Sequence, residues 1–283
     1  MGCGSNEPKL IKNDDEFIKE WTAVGDCKYI IAGKEYIAYI DLFNQIIFYS
    51  KTKKISNPVF GTWNSIYSIE KDYITELMTD EIIPISNVAC AAGGTHHEWL
   101  LCKTGNLFGR GSNKYKQLST RQEENFTEFT LLFTNVVSVQ ACRHRSLIKV
   151  DDGKLVILGR FTPFESEYLM NYSDFKFALG WSSVALYKNK ELFLIGKNQL
   201  GQIGTSDQTQ KVNHIELEFS IDKVTAGSEH YLLLSNHSVY GWGWNEHYNF
   251  AIENKGNLTF QRINDGCIDI YCGPASSFIK TCV

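Results

Sequence analysis

The apolar residues of this chain fall into short runs separated by polar turns. The pattern is clearest at Tyr231–Leu234 and Val239–Trp242, two apolar runs that flank the polar turn Ser235–Ser238. Runs of this length between turn residues are typical of β-hairpins rather than helices. Another apolar run precedes each hairpin, at 88–90, 136–140, 175–179, 221–225 and 267–271. We therefore predict an all-β chain, with the remaining strands in the variable linkers.

Each hairpin belongs to a repeated phrase, which decides the fold class before any single residue is interpreted. The phrase runs from a small residue and Gly, through a His or small polar residue three positions later, to a hairpin and a closing Gly-x-Asn. Its clearest copies begin at Ala92, Ala178 and Ala226. The predicted structural positions are Gly33, Gly61, Gly94, Gly180, Gly227 and Gly273, with Asn6, Asn113, Asn198 and Asn245. In the fourth copy Arg143 replaces Gly, so we expect that copy to be shifted in register.

The seventh copy stops halfway, and its missing half resembles the start of the chain. Met1–Asn6 is similar in sequence to the end of the third copy, Gly109–Asn113. Repeated β units that contact only their neighbours form rings, and a ring closes when its terminal strands share one unit. We predict a single domain, residues 1–283: a seven-bladed β-propeller whose N-terminal strand completes the last blade.

Composition and charge exclude little beyond this. The chain has 283 residues, 43% of them hydrophobic, and a net charge of -4, which gives no global reason to expect nucleic-acid binding. The densest basic run is Lys51–Lys54. The eight cysteines contain no C-x-x-C pair, and no apolar stretch is long enough to span a membrane. We expect reduced thiols, no metal or cofactor, and a cytoplasmic protein that also enters the nucleus.

The first residues, Met-Gly-Cys-Gly-Ser-Asn, resemble an acylation signal. Such signals usually carry Ser or Thr at position six, where this chain has Asn6. We expect the segment to form the closing strand.

Several copies resemble the repeats of the regulator-of-chromosome-condensation family. The family closes each blade with Gly-x-Asn-x-x-Gly-Gln-Leu-Gly, which Gly196–Gly204 matches almost completely and Gly111–Leu118 matches in part. Its Gly-x-x-His signature is similar to Gly94–His97 and Gly227–His230. The resemblance spans the chain and implies a seven-bladed propeller.

The sixth copy has a narrower likeness. Gly227–His247 resembles the last full blade of the yeast killer-toxin-insensitivity propeller and of the animal secretion-associated exchange-factor-like propeller. Tyr248–Ala251 departs from that subgroup, which has a Gly-Asn-Cys-Gly-like stretch there. The likeness implies a non-catalytic adaptor, monomeric or heterodimeric, that binds a small zinc-ribbon electron carrier. It would support diphthamide synthesis and Elongator-dependent modification of tRNA wobble uridine. The candidate partner-binding residues are Trp63, Trp181, Glu229, His230, Trp244, Glu246 and His247.

An alternative within the same family is a guanine-nucleotide exchange factor for a small GTPase, as its founding member is for Ran. Exchange needs an inserted wedge with acidic or polar groups. The longest linkers are 114–133, which carries Glu123, Glu124 and Glu128, and 161–174. A chromatin-associated propeller is a further alternative.

An enzyme is the third class of function. The motifs for a phosphate-binding loop and for a nucleophile elbow do not occur. His96 and His97 lack the spacing of a zinc motif. At the repeat's His position, His96, His97 and His230 are expected to make structural hydrogen bonds. We therefore expect no catalysis.

Overall fold

A computed structural model describes residues 1–5, 17–23, 26–34, 36–43, 45–48, 51–54, 57–253 and 256–281. Asn6 lies outside these residues. Within them the chain is β-structure with one helix, α1 (Pro163–Asn171). Strands β1 to β14 are Gly2–Ser5, Phe17–Thr22, Cys27–Ala32, Ile37–Asp41, Gln45–Phe48, Lys51–Lys54, Val59–Gly61, Ile66–Ile69, Ile74–Glu76, Ile82–Ile83, Val88–Gly93, His97–Cys102, Leu107–Ser112 and Asn125–Phe133. Strands β15 to β27 are Val136–Cys142, Arg145–Val150, Leu155–Gly159, Lys176–Leu179, Ser183–Lys188, Glu191–Gly196, Val212–Glu216, Ile221–Ala226, His230–Ser235, Ser238–Gly243, Leu258–Asn264, Cys267–Cys272 and Ser276–Thr281.

The chain divides into two compact units. The first contains Met1–Lys54 and Phe175–Val283, and the second contains Ile55–Asp174. In the first unit, sheet one is β3–β6, sheet five is β18–β21, sheet six is β22–β25, and sheet seven has the order β2-β1-β27-β26. In the second unit, sheet two is β7–β10, sheet three is β11–β14 and sheet four is β15–β17. The strands are antiparallel, and apart from the pair β1 and β27 neighbouring strands follow one another in sequence, as expected for hairpins.

The prediction of a seven-bladed propeller is wrong, because the described residues form six complete blades. Among the described residues, six sheets have the four strands of a blade, whereas sheet four has only three. After β17 the chain forms α1 in place of a fourth strand. The sequence carries a reason for this: Thr162 caps the helix, Pro163 begins it, and Glu165 completes a capping box. The linker 161–174, where we expected the missing strand, is therefore helical.

The predicted role of the N-terminal segment in the last sheet is confirmed. Strand β1 pairs with β27, with Gly2 opposite Phe278 and Gly4 opposite Ser276. On its other edge β1 pairs with β2. The backbone of Met1 is bonded as well, because its carbonyl accepts from the amide of Ile279 at 2.9 Å.

The apolar positions predicted from the pattern form the core of each unit. In the first unit, Leu194, Leu233 and Trp242 belong to one buried cluster between sheets five and six. In the second unit, Trp99 and Ile148 belong to the corresponding cluster of sheets three and four. The second strands of these sheets, β12, β16, β19 and β23, are buried on both faces over most of their length, which explains their nearly continuous apolar runs.

The seven cysteines within the described residues are free thiols. No helix among those residues is long and apolar enough to cross a membrane.

Candidate protein-binding site

A tight turn joins the first and second strands of most sheets, and it explains the repeated Gly. In sheet six the amide of Gly227 donates to the carbonyl of His230 at 2.8 Å. Gly33, Gly94, Gly180 and Gly273 each donate in the same way to the residue three positions later. We call this the Gly turn, and we call the end of a sheet that carries it the repeat end.

One of the predicted turn positions, Gly61, is wrong. In sheet two it is Thr62, not Gly61, whose amide donates to the residue three positions later, Ser65. Gly61 is the last residue of β7 and pairs with Ile66. In sheet four Cys142 pairs with Arg145, so Cys142 takes the turn's first position. The expected register shift of the fourth copy is confirmed, since Arg143 lies one place further along, with a left-handed φ of 48°.

Neighbouring Gly turns are joined by backbone hydrogen bonds. In the first unit, the amide of Trp181 donates to the carbonyl of Ser228 at 2.8 Å, and the amide of Ser228 donates to the carbonyl of Pro274 at 2.9 Å. In the second unit, Thr95 donates to Arg143 at 3.0 Å. Each bond joins the second residue of one turn to the second residue of the next.

The first position of the turn is Gly because another group occupies the space of a side chain. A Cβ on Gly227 would lie 2.1 Å from the ring of His230 and 2.6 Å from the carbonyl oxygen of Gly273. A Cβ on Gly94 would lie 2.3 Å from the ring of His97. The repeated Gly and His therefore form one packing unit.

We expect Gly227→Ala to lower the free energy of unfolding by about 2 kcal/mol, and Gly227→Val by more, because overpacking displaces the His230 ring. Chemical denaturation measures both values. Combining Gly227→Ala with His230→Ala should recover part of the loss, and the backbone of Gly273 keeps the recovery incomplete. Strict additivity of the two changes would contradict this coupling.

The buried imidazoles are neutral at neutral pH. Burial lowers the pKa of His97 to about 3 and that of His230 to about 4. His97 shares a hydrogen bond with the Ser146 hydroxyl at 2.9 Å, as expected for a structural role. The ring of His230 contacts the edge of the Phe250 ring, with the centroids 5.8 Å apart. His230, which we predicted to bind a partner, is fully buried and supports the turn instead.

The closing Gly-x-Asn works through the Asn side chain. The Oδ1 of Asn113 accepts from the amides of Leu118 and Ser119, both at 3.0 Å. Asn198 and Asn245 bond in the same way to the amide five positions later. The Gly two positions before each Asn has a positive φ, at Gly111, Gly196 and Gly243.

Trp181 and Trp244 flank the Gly turn of sheet six at its repeat end. The amide of Trp181 donates to Ser228, and that of Trp244 donates to the adjacent Glu229 at 2.9 Å. The backbone amides of both tryptophans are therefore bonded to consecutive carbonyls, those of Ser228 and Glu229. Both side chains are half-buried. The Trp244 ring packs against the ring of half-buried His247, with centroids 4.5 Å apart. Exposed Glu246 lies between them in the chain.

The Glu229 side chain joins the Gly turn of sheet six to two residues of sheet five's loops. Its carboxylate accepts from the Ser182 hydroxyl at 2.6 Å and from the Gln202 amide at 3.3 Å. Sequence reasoning missed Ser182 and Gln202, although Gln202 belongs to the Gly-Gln-Ile-Gly end of the fifth copy. Glu229 is 9% exposed, so it positions the loops more than it contacts a partner.

The remaining predicted residue, Trp63, lies in the second unit. It follows Thr62 and so has the same place in its turn as Trp181, and it is half-buried. The other six predicted residues lie in the first unit, at the repeat ends of sheets five and six. We call Trp181, Trp244, Glu246 and His247 the tryptophan surface.

The fold and its turns define a β-propeller, and its sixth repeat is of the RCC1 type. A family model described as "Regulator of chromosome condensation (RCC1) repeat" matches residues 221–249, the sixth copy. The predicted RCC1-type propeller is thereby confirmed.

Three known proteins show how far the likeness extends. Human WBSCR16 superposes with a TM-score of 0.74 at 12% identity, covering 100% of this chain and 98% of that one. Prp20p of Saccharomyces cerevisiae superposes with a TM-score of 0.70 at 13% identity, covering 98% and 89%. The human protein described as probable E3 ubiquitin-protein ligase HERC6 is 26% identical over 234 residues, or 70% of this chain. The chain spans only 23% of that relative's length. The likeness to the two structures shows the fold alone.

Proposed function

We propose that the protein is a non-catalytic adaptor that binds a protein partner through the tryptophan surface. The observation that carries this proposal is the placement of Trp181 and Trp244. Their amides bond to the adjacent carbonyls of Ser228 and Glu229, and their side chains remain partly accessible at one end of the sheets.

This arrangement suits recognition because the anchors are already in place. Trp is enriched among the residues that dominate protein–protein affinity. An anchor fixed before binding loses little conformational freedom when the partner arrives. The Asn245 side chain fixes the loop that carries Trp244, through bonds to the amide of Phe250 and the carbonyl of Ile252, both at 3.2 Å.

The proposed partner is a small zinc-ribbon electron carrier, and the proposed roles are support of diphthamide synthesis and of Elongator-dependent wobble-uridine modification. The sequence of the sixth copy supports this partner, because Gly227–His247 resembles the corresponding blade of the zinc-ribbon-binding subgroup. The same copy contributes Trp244, Glu246 and His247 to the tryptophan surface. The adaptor would act in the cytoplasm and also in the nucleus.

We expect the purified protein to bind a tagged zinc-ribbon carrier at micromolar concentration. Trp244→Ala should weaken binding by at least tenfold, which corresponds to about 1.4 kcal/mol or more. His247→Ala should weaken it less, because His247 acts by supporting the Trp244 ring. Biolayer interferometry measures both affinities, and thermal melting checks that the variants fold.

The matched control is Phe219→Ala, which removes an aromatic side chain that is 46% exposed in the same unit. Phe219 precedes β22, at the end of the sheet opposite its Gly turn. If Phe219→Ala weakened binding as much as Trp244→Ala, the partner would bind outside the tryptophan surface. Absence of any complex would reject the zinc-ribbon partner.

A regulator of a small GTPase is the second candidate. Prp20p, which shares the fold, has been characterised for its binding to Gsp1p and histones. The two linkers that we considered for an exchange wedge contain regular structure within the second unit: 114–133 ends in β14, and 161–174 contains α1. A nucleotide-release assay with Ran tests this candidate, and accelerated release would favour it over the adaptor. A chromatin-associated role would show as binding to histones.

A further inference from the structure

The second unit carries a group of cationic and aromatic side chains at the repeat ends of sheets three and four. Arg143 and His144 form the Gly turn of sheet four, and Arg160 directly follows β17 at the same end. His96 lies in the Gly turn of sheet three, and Tyr115 lies in the loop between β13 and β14. We call these five residues the cationic surface.

Direct contacts join the two sheets at this surface. The Thr95 hydroxyl donates to the carbonyl of Arg143 at 2.9 Å. The rings of His96 and His144 are stacked with centroids 6.2 Å apart, and the ring of Tyr115 lies 4.6 Å from that of His144. The Arg160 guanidinium packs over Tyr115, 3.9 Å from the ring centroid. The cluster is therefore continuous across both sheets.

The charges that act on the centre of the surface have one sign. The pKa of His144 is lowered by burial and then by the positive charges of Arg143, Arg160 and His96. Exposed cations continue the surface along the loop after β13, at Lys114, Lys116 and Arg121. The carboxylates in the neighbourhood are exposed Glu123 and Glu124 in that loop, exposed Glu167 on α1, and Glu165, which is buried and paired with Arg145. A cationic area on a chain of net charge -4 is a local feature.

The backbone holds Arg143 in an unusual conformation. Its φ of 48° is left-handed, which is uncommon for a residue with a side chain. The cost of such a conformation is more readily tolerated where the side chain has a task at the surface. The Arg143 side chain is exposed.

We propose that the cationic surface binds an acidic segment of a protein partner. Arginine guanidinium groups pair with carboxylates through two parallel hydrogen bonds, and Arg143 and Arg160 are both exposed. Binding by stacked bases is disfavoured, because Arg160 and His144 already contact the Tyr115 ring. Duplex nucleic acid carries the same sign of charge as an acidic peptide, and the experiment below separates the two. This inference does not depend on the tryptophan surface, which lies in the other unit.

Fluorescence polarisation with a fluorescein-labelled ten-residue glutamate peptide tests the proposal on the full chain. Arg143→Gly combined with Arg160→Gln should weaken peptide binding at least tenfold. Glycine accepts the left-handed φ at position 143, so the fold should be retained. An uncharged glutamine peptide of equal length should bind at least tenfold more weakly than the acidic one.

The control is Lys103→Ala, which removes an exposed cation from the hairpin turn of sheet three, opposite its repeat end. Its affinity for the peptide should equal that of the unmodified protein. Equal peptide affinities of the double variant and the unmodified protein would overturn the proposal. It would also be overturned if a DNA oligonucleotide bound more tightly than the peptide and lost affinity in the same double variant.

Discussion

Deletion of Met1–Ser5 is expected to destabilise the protein by about 5 kcal/mol or more, comparable with the whole stability of many domains. The deletion removes β1 from the interior of sheet seven, where it pairs with β2 on one edge and with β27 on the other. Two strand edges would lose their partners together, and exposed edges also favour aggregation. The melting temperature measured by circular dichroism should fall steeply.

A point substitution separates the loss of pairing from the loss of chain. Cys3 is 3% exposed, and its thiol donates to the carbonyl of Asn249 at 3.2 Å. Both Cys3→Ala and Cys3→Pro remove that thiol, but only proline removes the amide and restricts φ within the strand. Cys3→Pro should melt well below Cys3→Ala. Equal melting temperatures of Cys3→Pro and Cys3→Ala would show that β1 contributes little to the fold. The same conclusion would follow if the deletion variant melted at the temperature of the unmodified protein.

Arg145→Ala is expected to cost about 3–5 kcal/mol, because it leaves a buried carboxylate without its counter-charge. Arg145 is 2% exposed and bonds to Glu165, which is 5% exposed. The guanidinium lies 2.5 Å from the Glu165 carboxylate and 3.9 Å from the centroid of the Phe161 ring. The second carboxylate oxygen accepts from the Thr162 amide at 2.8 Å, so Glu165 also caps α1.

Glu165→Ala should cost a similar amount, since it leaves Arg145 buried and charged. The Arg145→Met, Glu165→Gln double variant should cost less than the sum of the two alanine variants, because it removes both charges and keeps most of the volume. Urea denaturation gives all three values. If the alanine variants were as stable as the unmodified protein, the pair would not hold α1 against sheet four.

The repeat predicted most of the fold because its Gly, His and Asn residues are required by the backbone geometry of the turns. Gly227 and His230 occupy one packed unit, so their spacing carries structural information. Prediction was wrong where another residue takes a position in the phrase. Thr62 makes the turn that we assigned to Gly61. In sheet four, by contrast, the expected register shift places the start of the turn at Cys142.

The absence of a fourth strand in sheet four could have been predicted from local signals. Thr162, Pro163 and Glu165 form a helix start within the linker where a strand was expected. The candidate site was harder to predict, because the role of each of its residues depends on how far the side chain is buried. Glu229 and Trp244 were both identified from the sequence, but only the structure shows that one supports the loop and the other stays partly accessible.

The bonds between neighbouring Gly turns also determine where the chain tolerates insertions. Ser228 bonds to Trp181 on one side and to Pro274 on the other, so an extra residue in its turn would misalign two neighbours together. The hairpin turn Asp151–Lys154 lies at the end of sheet four opposite its Gly turn, and all four of its residues are exposed. We therefore expect the fold to tolerate a longer hairpin at this turn and to be destabilised by an insertion in a Gly turn. For the same reason, an affinity tag or a fused domain belongs at a hairpin such as this one.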